Sequence, residues 1–340
     1  MDRLLTIAIP TFNRADLLDQ QLTWLAQAIQ GYESECEILV SDNCSTDHTQ
    51  VIIQKWRSTL NNVIFHSNRN SHNLGVVKNI TYCLNHAQTK YIWTIGDDDP
   101  IQNRALPYVL DKIKQCANLS LLLLNFSGRN KITGETVHPP KIIGNRWFDI
   151  YSEDGNGDGK SIFEHCLAKS VGAVIFLSST IFHTQFVQKA IKLWPEGVDN
   201  WIYFGYLTGY CATQGNIIVT QDVYLECIVG VSYWQKEAQS ALLMQYKHIP
   251  EVILQLESIG YSHKYCHQRL LQNFREVDLK VFLGAFRRWP LSTIKIVVPF
   301  LFLAIKSACD LLLTSPPFTY IPVNKWGGKT SKSLAQRDLG

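Results

Sequence analysis

The sequence predicts an α/β fold with a mainly parallel sheet flanked by helices, and three observations carry that prediction. Short apolar runs alternate with segments of helical apolar spacing over residues 1–125. The helical segments are long enough to serve as the crossovers that parallel strands require. Polar clusters stand directly after the apolar runs, at the strand ends where open α/β sheets hold their ligands.

Residues 4–9 read as the first strand, stopped by Pro10 and followed by the polar turn Thr11-Phe12-Asn13-Arg14. Leu17, Leu18, Leu22, Leu25, Ala26 and Ile29 then recur at helical spacing, and Gly31 ends the pattern. Residues 36–40 form a second buried strand, closed by Ser41-Asp42-Asn43-Cys44-Ser45-Thr46-Asp47, where Ser45 or Thr46 is placed to cap a helix running to about Trp56. Residues 63–66 give a third strand and residues 76–87 another helix. A fourth strand at 91–95 ends in Gly96-Asp97-Asp98-Asp99-Pro100, and 119–125 is a fifth.

From about 126 to 160 the pattern breaks into turn chemistry, ending in Asp154-Gly155-Asn156-Gly157-Asp158-Gly159. A helix over 161–168, a strand-like stretch over 173–182 and further helices follow. The C-terminal third reads as helical and aromatic, and residues 326–340 as a loose tail. The division this predicts is a first domain over 1–225, a helical extension over 226–325, and the tail.

Composition narrows the class. With 46% apolar and 18% charged residues, a chain of 340 buries a sizeable core and is not a disordered one. Lys and Arg number 32 against 29 acidic residues, a net +3 too balanced for a nucleic-acid partner by bulk electrostatics. The nine cysteines are odd in number, scattered and without a CxxC pair, which predicts reduced thiols and a cytosolic setting. Met1-Asp2-Arg3-Leu4 runs straight into a strand, so export through a cleaved leader is not expected.

Three consecutive carboxylates after a buried strand repel one another and resist desolvation. A divalent cation removes that cost, since hard cations such as Mg2+ take carboxylate oxygens, waters and substrate phosphates. The competing role for the triplet is a helix cap with its neighbours solvated. The clusters after strands one and two, at the same sheet edge, favour the ligand site.

Four segments then stand together in order: Ile7-Ala8-Ile9-Pro10-Thr11-Phe12-Asn13-Arg14, Val40-Ser41-Asp42-Asn43-Cys44-Ser45-Thr46-Asp47, Asn73-Leu74-Gly75-Val76-Val77-Lys78-Asn79 and Gly96-Asp97-Asp98-Asp99. This pattern resembles the family 2 glycosyltransferases of GT-A fold, and more finely the abequosyltransferase-like branch acting in surface-polysaccharide and O-antigen assembly. The resemblance implies transfer of a sugar from a nucleotide-diphosphate donor to an acceptor hydroxyl, with Mg2+ or Mn2+ as cofactor. It implies that Pro10, Thr11 and Arg14 line the nucleotide pocket and that Asp42 accepts from the base. Lys78 is to face the diphosphate or hold the carboxylates, Asp97 to touch the ribose and Asp98 to hold the metal. Asp99 is to share the metal or cap the next helix. The family's Asp-x-Asp departs here, because Gly96 stands where its first Asp commonly is.

Attack by an acceptor hydroxyl requires a general base near the anomeric carbon. Pro195-Glu196-Gly197-Val198-Asp199-Asn200-Trp201 resembles the family's Glu-Asp acceptor segment. Asparagine cannot act as a base, so Asp199 is the candidate, with Glu196 as its substitute and a helix N-cap as its competing role. Trp201 is placed to stack on a sugar of the acceptor, against the alternative of simple packing.

Other signals carry less. The 154–159 segment imitates a calcium loop, but position 12 is His165 and the bidentate acid is missing, so a Gly-rich turn is expected. His263, Cys266 and His267 lack a partner pair for structural zinc. Residues 296–305 are uninterruptedly apolar between Lys295 and Lys306, with Arg287-Arg288-Trp289 ahead. Ten residues do not span a bilayer, so this segment either lies on an anionic membrane surface or packs as a buried helix. The expected protein is a cytoplasmic enzyme, peripheral on the inner face of the plasma membrane, that moves a sugar onto a glycan or lipid-linked acceptor, probing no nucleic acid. A nucleotidyltransferase and a non-catalytic nucleotide-sugar-binding protein are the alternatives.

Overall fold

The computed structural model describes residues 3–137, 152–229, 238–275 and 279–314. The expected tail at 326–340 lies outside the described residues.

β1 (Leu5–Thr11) is central, paired in parallel with β2 (Cys36–Asp42) on one side and β4 (Tyr91–Thr94) on the other. Its neighbours β2 and β4 are buried throughout, so these strands read as continuous apolar runs rather than alternating ones. β3 (Ile64–Arg69) closes the parallel edge against β2 and alternates exposed with half-buried positions. The crossovers are α1 (Ala15–Ala28), α2 (Thr49–Thr59) and α3 (Val76–His86), and α4 (Ala105–Gln115) leads on to the next strand. Each turns an apolar stripe, such as Leu18, Leu22 and Leu25 of α1, onto the sheet.

Beyond β4 the sheet becomes mixed. β5 (Leu119–Asn130) carries β6 (Thr136–Val137), and farther along the chain come β7 (Ser152–Gly157), β8 (Thr180–His183) and β9 (Asn216–Val229). The strand order is β3-β2-β1-β4-β8-β5-β9-β7. β8 inserts antiparallel between β4 and β5, while β5 and β9 are parallel. The α/β class stands, with the parallel pairing concentrated in the first half of the chain.

Two local expectations differ. The stretch 173–182 is not one strand: α6 (Val171–Ile175) and a 3-10 turn (Leu177–Ser179) precede β8. A short apolar run does not by itself distinguish a buried helix from a strand. The Gly-rich segment after Asp154 belongs to edge strand β7 instead of a turn, and Asp158 caps α5 (Gly159–Lys169), accepting from the Lys160 amide at 3.3 Å.

α7 (Thr184–Leu193) and a 3-10 turn (Pro195–Asp199) lead to α8 (Tyr203–Ala212), which is buried on every side. A Cβ on Gly209 of α8 would lie 2.3 Å from Leu256, so glycine permits the close approach of α10 (Ile249–Ser258). β9 runs through the expected boundary at 225 and keeps that strand in the sheet to Val229. α9 (Ala238–Leu243), a π-turn (Met244–His248), α11 (His263–Arg275), α12 (Leu279–Arg288) and α13 (Pro290–Thr314) complete the described helices. Ile253, Leu256 and Leu270 join the main core, whereas Leu242, Tyr246, Ala285, Val297 and Phe300 form a small core of their own.

Candidate active site

The loops after β1, β2 and β4 meet at one sheet edge because the parallel register aligns their ends, Thr11 pairing with Asp42. With α3 and the turn before Asn200 they enclose a cleft of about 760 Å3. Pro10, Thr11, Arg14, Lys78, Asp97, Asp98, Asp99, Asp199 and Trp201 all line it, gathered from both halves of the chain.

Asn13 turns the chain after β1 with φ of 52°, a left-handed conformation that asparagine tolerates. Its amide donates to Ser45 Oγ at 2.8 Å and its side-chain oxygen accepts from the Thr46 amide at 2.7 Å, which locks the first loop to the second. This fixes Arg14, whose Nη1 lies 2.8 Å from Asp97 Oδ1 and 2.9 Å from Asp98 Oδ2. Burial works against the Arg14 charge, and the carboxylates of Asp97 and Asp98 more than restore it. Burial pushes the Asp97 carboxyl above its ordinary range, opposed by Arg14 and by the Thr11 hydroxyl, which donates at 2.7 Å.

The three aspartates have separate environments. Asp97 is held by Thr11 and Arg14, and Asp98 is the more exposed, at 21% of its side chain. Asp99, expected to share a metal with Asp98, is turned inward instead. It accepts from Ser178 Oγ at 2.5 Å and from the backbone of Ile228, and burial pushes its carboxyl up to about 7. A Cβ on residue 96 would come within 2.5 Å of Asp99 Oδ2. Gly96 therefore belongs to the inward Asp99, and an aspartate there would collide with it.

The donor set still fits a hard cation. Asp98 offers cleft-facing carboxylate oxygen, and Mg2+ or Mn2+ completes its shell with water and substrate phosphate rather than a protein cage. Asp99, committed to Ser178, is withdrawn from that set.

Asp42 also departs from its expected role. It is fully buried, accepting from the Ser45 amide at 2.9 Å and from Gln50 Nε2 at 2.5 Å, and it does not line the cleft. Arg69 Nε also approaches the same oxygen as Gln50, at 3.6 Å, so both carboxylate oxygens are engaged within the protein. The neighbouring Asn43 does line the cleft, and it anchors a network that residue-by-residue reading missed. Asn43 Nδ2 donates to Asn73 Oδ1 at 2.8 Å, and its Oδ1 accepts from Asn70 at 3.0 Å and from the Leu74 amide at 2.9 Å. Asn79 ties the same network to Ser41 of β2. Asn43, Asn73 and Asn79 are all visible in the sequence beside the strand ends, but the Asn43–Asn73 bond and the link from Asn43 through Asn70 to Asn79 are tertiary facts.

Also in the lining, Asp199 Oδ1 lies 2.8 Å from Lys78 Nζ at the head of α3. Asp199 is not the N-cap of α8, which begins at Tyr203 after Ile202. The next residue, Asn200, turns the chain, its Oδ1 accepting from the Ile202 amide at 3.0 Å while its Nδ2 donates to His248 O and to Glu251. Asp199 is left 73% exposed and facing the cleft; Glu196 is exposed but outside the lining. Trp201 lines the cleft while packing edge-on against His248, with ring centroids 5.5 Å apart. Its amide donates to His248 Nδ1 at 3.4 Å. Burial, with Lys247 alongside, pushes the His248 imidazole down to about 4, which keeps that nitrogen an acceptor.

Residues 6–161 match the family described as Glycosyl transferase family 2. The chain is 30% identical over 179 residues to the abequosyltransferase RfbV of Salmonella typhimurium, covering 52% of each protein. It is 28% identical over 112 residues to the GalNAc(5)-diNAcBac-PP-undecaprenol beta-1,3-glucosyltransferase of Campylobacter jejuni, covering 33% of this chain and 35% of that one. The chain thus spans about half the length of the first of these curated relatives and less of the other. Among solved structures, S. aureus TarS 1-349 in complex with UDP-GlcNAc superposes with a TM-score of 0.60 at 15% identity, over 92% of this chain and 82% of that one. The mannosyltransferase PcManGT from Pyrobaculum calidifontis, in complex with GDP-Man and Mn2+, gives 0.51 at 14% identity over 91% and 85%. These likenesses show the fold, a GT-A arrangement with a helical C-terminal region.

Proposed function

We propose that this chain, whose residues 6–161 match the family 2 glycosyltransferase model, is a member of that family and transfers a sugar from a nucleotide-diphosphate donor to an acceptor hydroxyl. One observation carries the reading. The cleft brings together an Arg14–Asp97–Asp98 group and a Lys78–Asp199 pair, so that a half-exposed lysine within reach of a diphosphate stands beside an exposed carboxylate.

Each side chain then has a task. The backbone around Pro10 and Thr11 lines the nucleotide, and Asp97, braced by Thr11 and Arg14, meets the ribose. Lys78 pairs with the diphosphate, trading Asp199 for a stronger anion. Asp199, released, accepts the proton of the acceptor hydroxyl as the oxygen attacks the anomeric carbon. The carbon–oxygen bond to the diphosphate breaks on the opposite face, and the configuration inverts. Asp98 would hold a divalent cation, which would supply Lewis-acid neutralisation of the charge on the leaving diphosphate. Trp201 offers a ring face to the acceptor sugar.

The name of the Campylobacter jejuni relative, which states an undecaprenol-linked glycan, favours a lipid-linked glycan as acceptor. A surface-polysaccharide glycan as acceptor and a cytoplasmic membrane face as the place of reaction are parts of the same proposal. The proposed division keeps residues 1–225 as the transferase domain, with β9 continuing its sheet to Val229, and the helices from Ala238 onward as an extension.

The deciding experiment is a thermal-shift screen of UDP-, GDP-, CDP- and dTDP-sugars with and without Mn2+, followed by assay of nucleoside-diphosphate release. A ligand that binds only the native state raises Tm. The expected result is one nucleotide series whose shift grows with Mn2+. Binding indifferent to metal and without turnover would leave a nucleotide-sugar-binding protein instead.

A further inference from the structure

The strongest unassigned feature of the described chain lies far from the cleft residues in sequence. Exposed large apolar side chains crowd into its last two helices: Leu283 and Phe286 on α12, then Leu291, Ile294, Phe302 and Ile305 on α13. α13 carries two apolar stripes. Thr293, Val297, Phe300, Ala304 and Ser307 recur at intervals of four and three and are buried, with Val297 and Phe300 packed in the small core with Tyr246 and Ala285. The other stripe, Leu291, Ile294, Val298, Leu301 and Ile305, has the same helical spacing and stays exposed, with Phe302 beside it at 70%.

We propose that this second stripe docks the chain on an anionic lipid surface, with α13 lying in the plane of the interface. Charge argues for that occupant. Lys295 and Lys306 are exposed and eleven residues apart, about three helical turns, so they flank the stripe on one side. Arg287 and Arg288 stand exposed at the end of α12, and Arg288 stacks on Trp289 at the joint between the helices. Basic heads beside an apolar face, with an aromatic ring at its end, are what an interfacial helix presents to anionic headgroups. Asp310 is the acidic residue of α13 and is half-buried.

Length alone would permit a crossing, since Pro290–Leu313 has 24 residues and contains an 18-residue window of mean hydropathy 2.1. Packing decides otherwise. Crossing would strip Val297, Phe300 and Ala304 from the protein and carry Lys295 and Lys306 into hydrocarbon. The segment expected at 296–305 to choose between lipid and core therefore serves both, one stripe for each.

The proposal deepens the glycosyltransferase reading, because it brings the cleft to a surface that holds lipid-linked acceptors, but its evidence is independent of the cleft. The test uses the full chain in co-sedimentation with vesicles of phosphatidylcholine alone or mixed with phosphatidylglycerol. Binding to the mixed vesicles, weakened by salt, is expected. Phe302→Ser with Ile305→Ser should lower partitioning roughly tenfold, and Lys295→Gln with Lys306→Gln should lower it only on phosphatidylglycerol. All four side chains are exposed, so unfolding curves should match the parent. Absence of vesicle binding, or equal binding by the Phe302 and Ile305 variant, overturns the proposal. So does resistance of the bound chain to alkaline carbonate extraction, which indicates a spanning helix, or a vesicle-free dimer that the same variant dissociates. A thermal shift by the nucleotide donor, retained in both variants, separates failure here from failure of the transferase reading.

Discussion

Lys78 Nζ and Asp199 Oδ1 meet at 2.8 Å in the lining of the cleft, joining the head of α3 to the turn that precedes α8. Both side chains are substantially exposed, at 46% and 73%, so the pair itself adds little to stability. A diphosphate can take Lys78 from it at small cost. Replacing Asp199 with Asn should cut turnover by about 10²–10⁴ while leaving donor affinity within about twofold. Lys78→Met should instead weaken donor binding by roughly 10–100-fold. Steady-state kinetics beside calorimetric donor titration separate the two, and unchanged turnover in the Asp199 variant would place the base elsewhere.

Asp98→Asn addresses the cation. This variant removes the cleft-facing carboxylate but leaves Asp97 with Arg14 and Thr11. Turnover at saturating Mn2+ should fall by about 10²-fold or more, consistent with losing several kcal/mol of leaving-group stabilisation. The metal enhancement of the donor's thermal shift should disappear with it. A variant as active as the parent takes Asp98 out of the reaction.

Gly96 and Asp99 should prove coupled. A Cβ at 96 meets Asp99 Oδ2 at 2.5 Å, so Gly96→Ala should destabilise by about 1–3 kcal/mol, as overpacking does. With Asp99→Ala already in place the clash partner is gone, and the same substitution should cost much less. Denaturant unfolding of both single variants and the double variant gives the coupling energy, expected above about 0.5 kcal/mol. Additivity would mean that the inward carboxylate does not explain the glycine.

His248 sets a pH dependence. Its folded imidazole is held down to about 4, below the ordinary 6.5, so the native state binds fewer protons than the unfolded chain between those values. Stability from this group is present above about 6.5 and is lost as pH falls toward 4. Protonation also removes the acceptor for the Trp201 amide. The parent Tm should therefore drop more between pH 6.5 and 4.5 than that of His248→Gln, as followed by circular dichroism. Parallel pH profiles would show that His248 is not the titrating group.

The strand–helix alternation of the first half and the polar clusters at its strand ends were legible in the sequence, because periodicity and turn residues are local signals. So was the set of residues that reach one sheet edge: the order of β1, β2 and β4 determines it. Tertiary structure alone decided which of those groups face the cleft. Asp42 is taken by Gln50, Asp99 by Ser178, and Asp199 stands exposed beside Lys78, clear of the start of α8. It also decided the antiparallel insertion of β8 and the second stripe of α13, which is exposed among the described residues. A carboxylate's direction depends on a donor that can lie many residues away, and a helix's two apolar sides are told apart only by which one finds a neighbour.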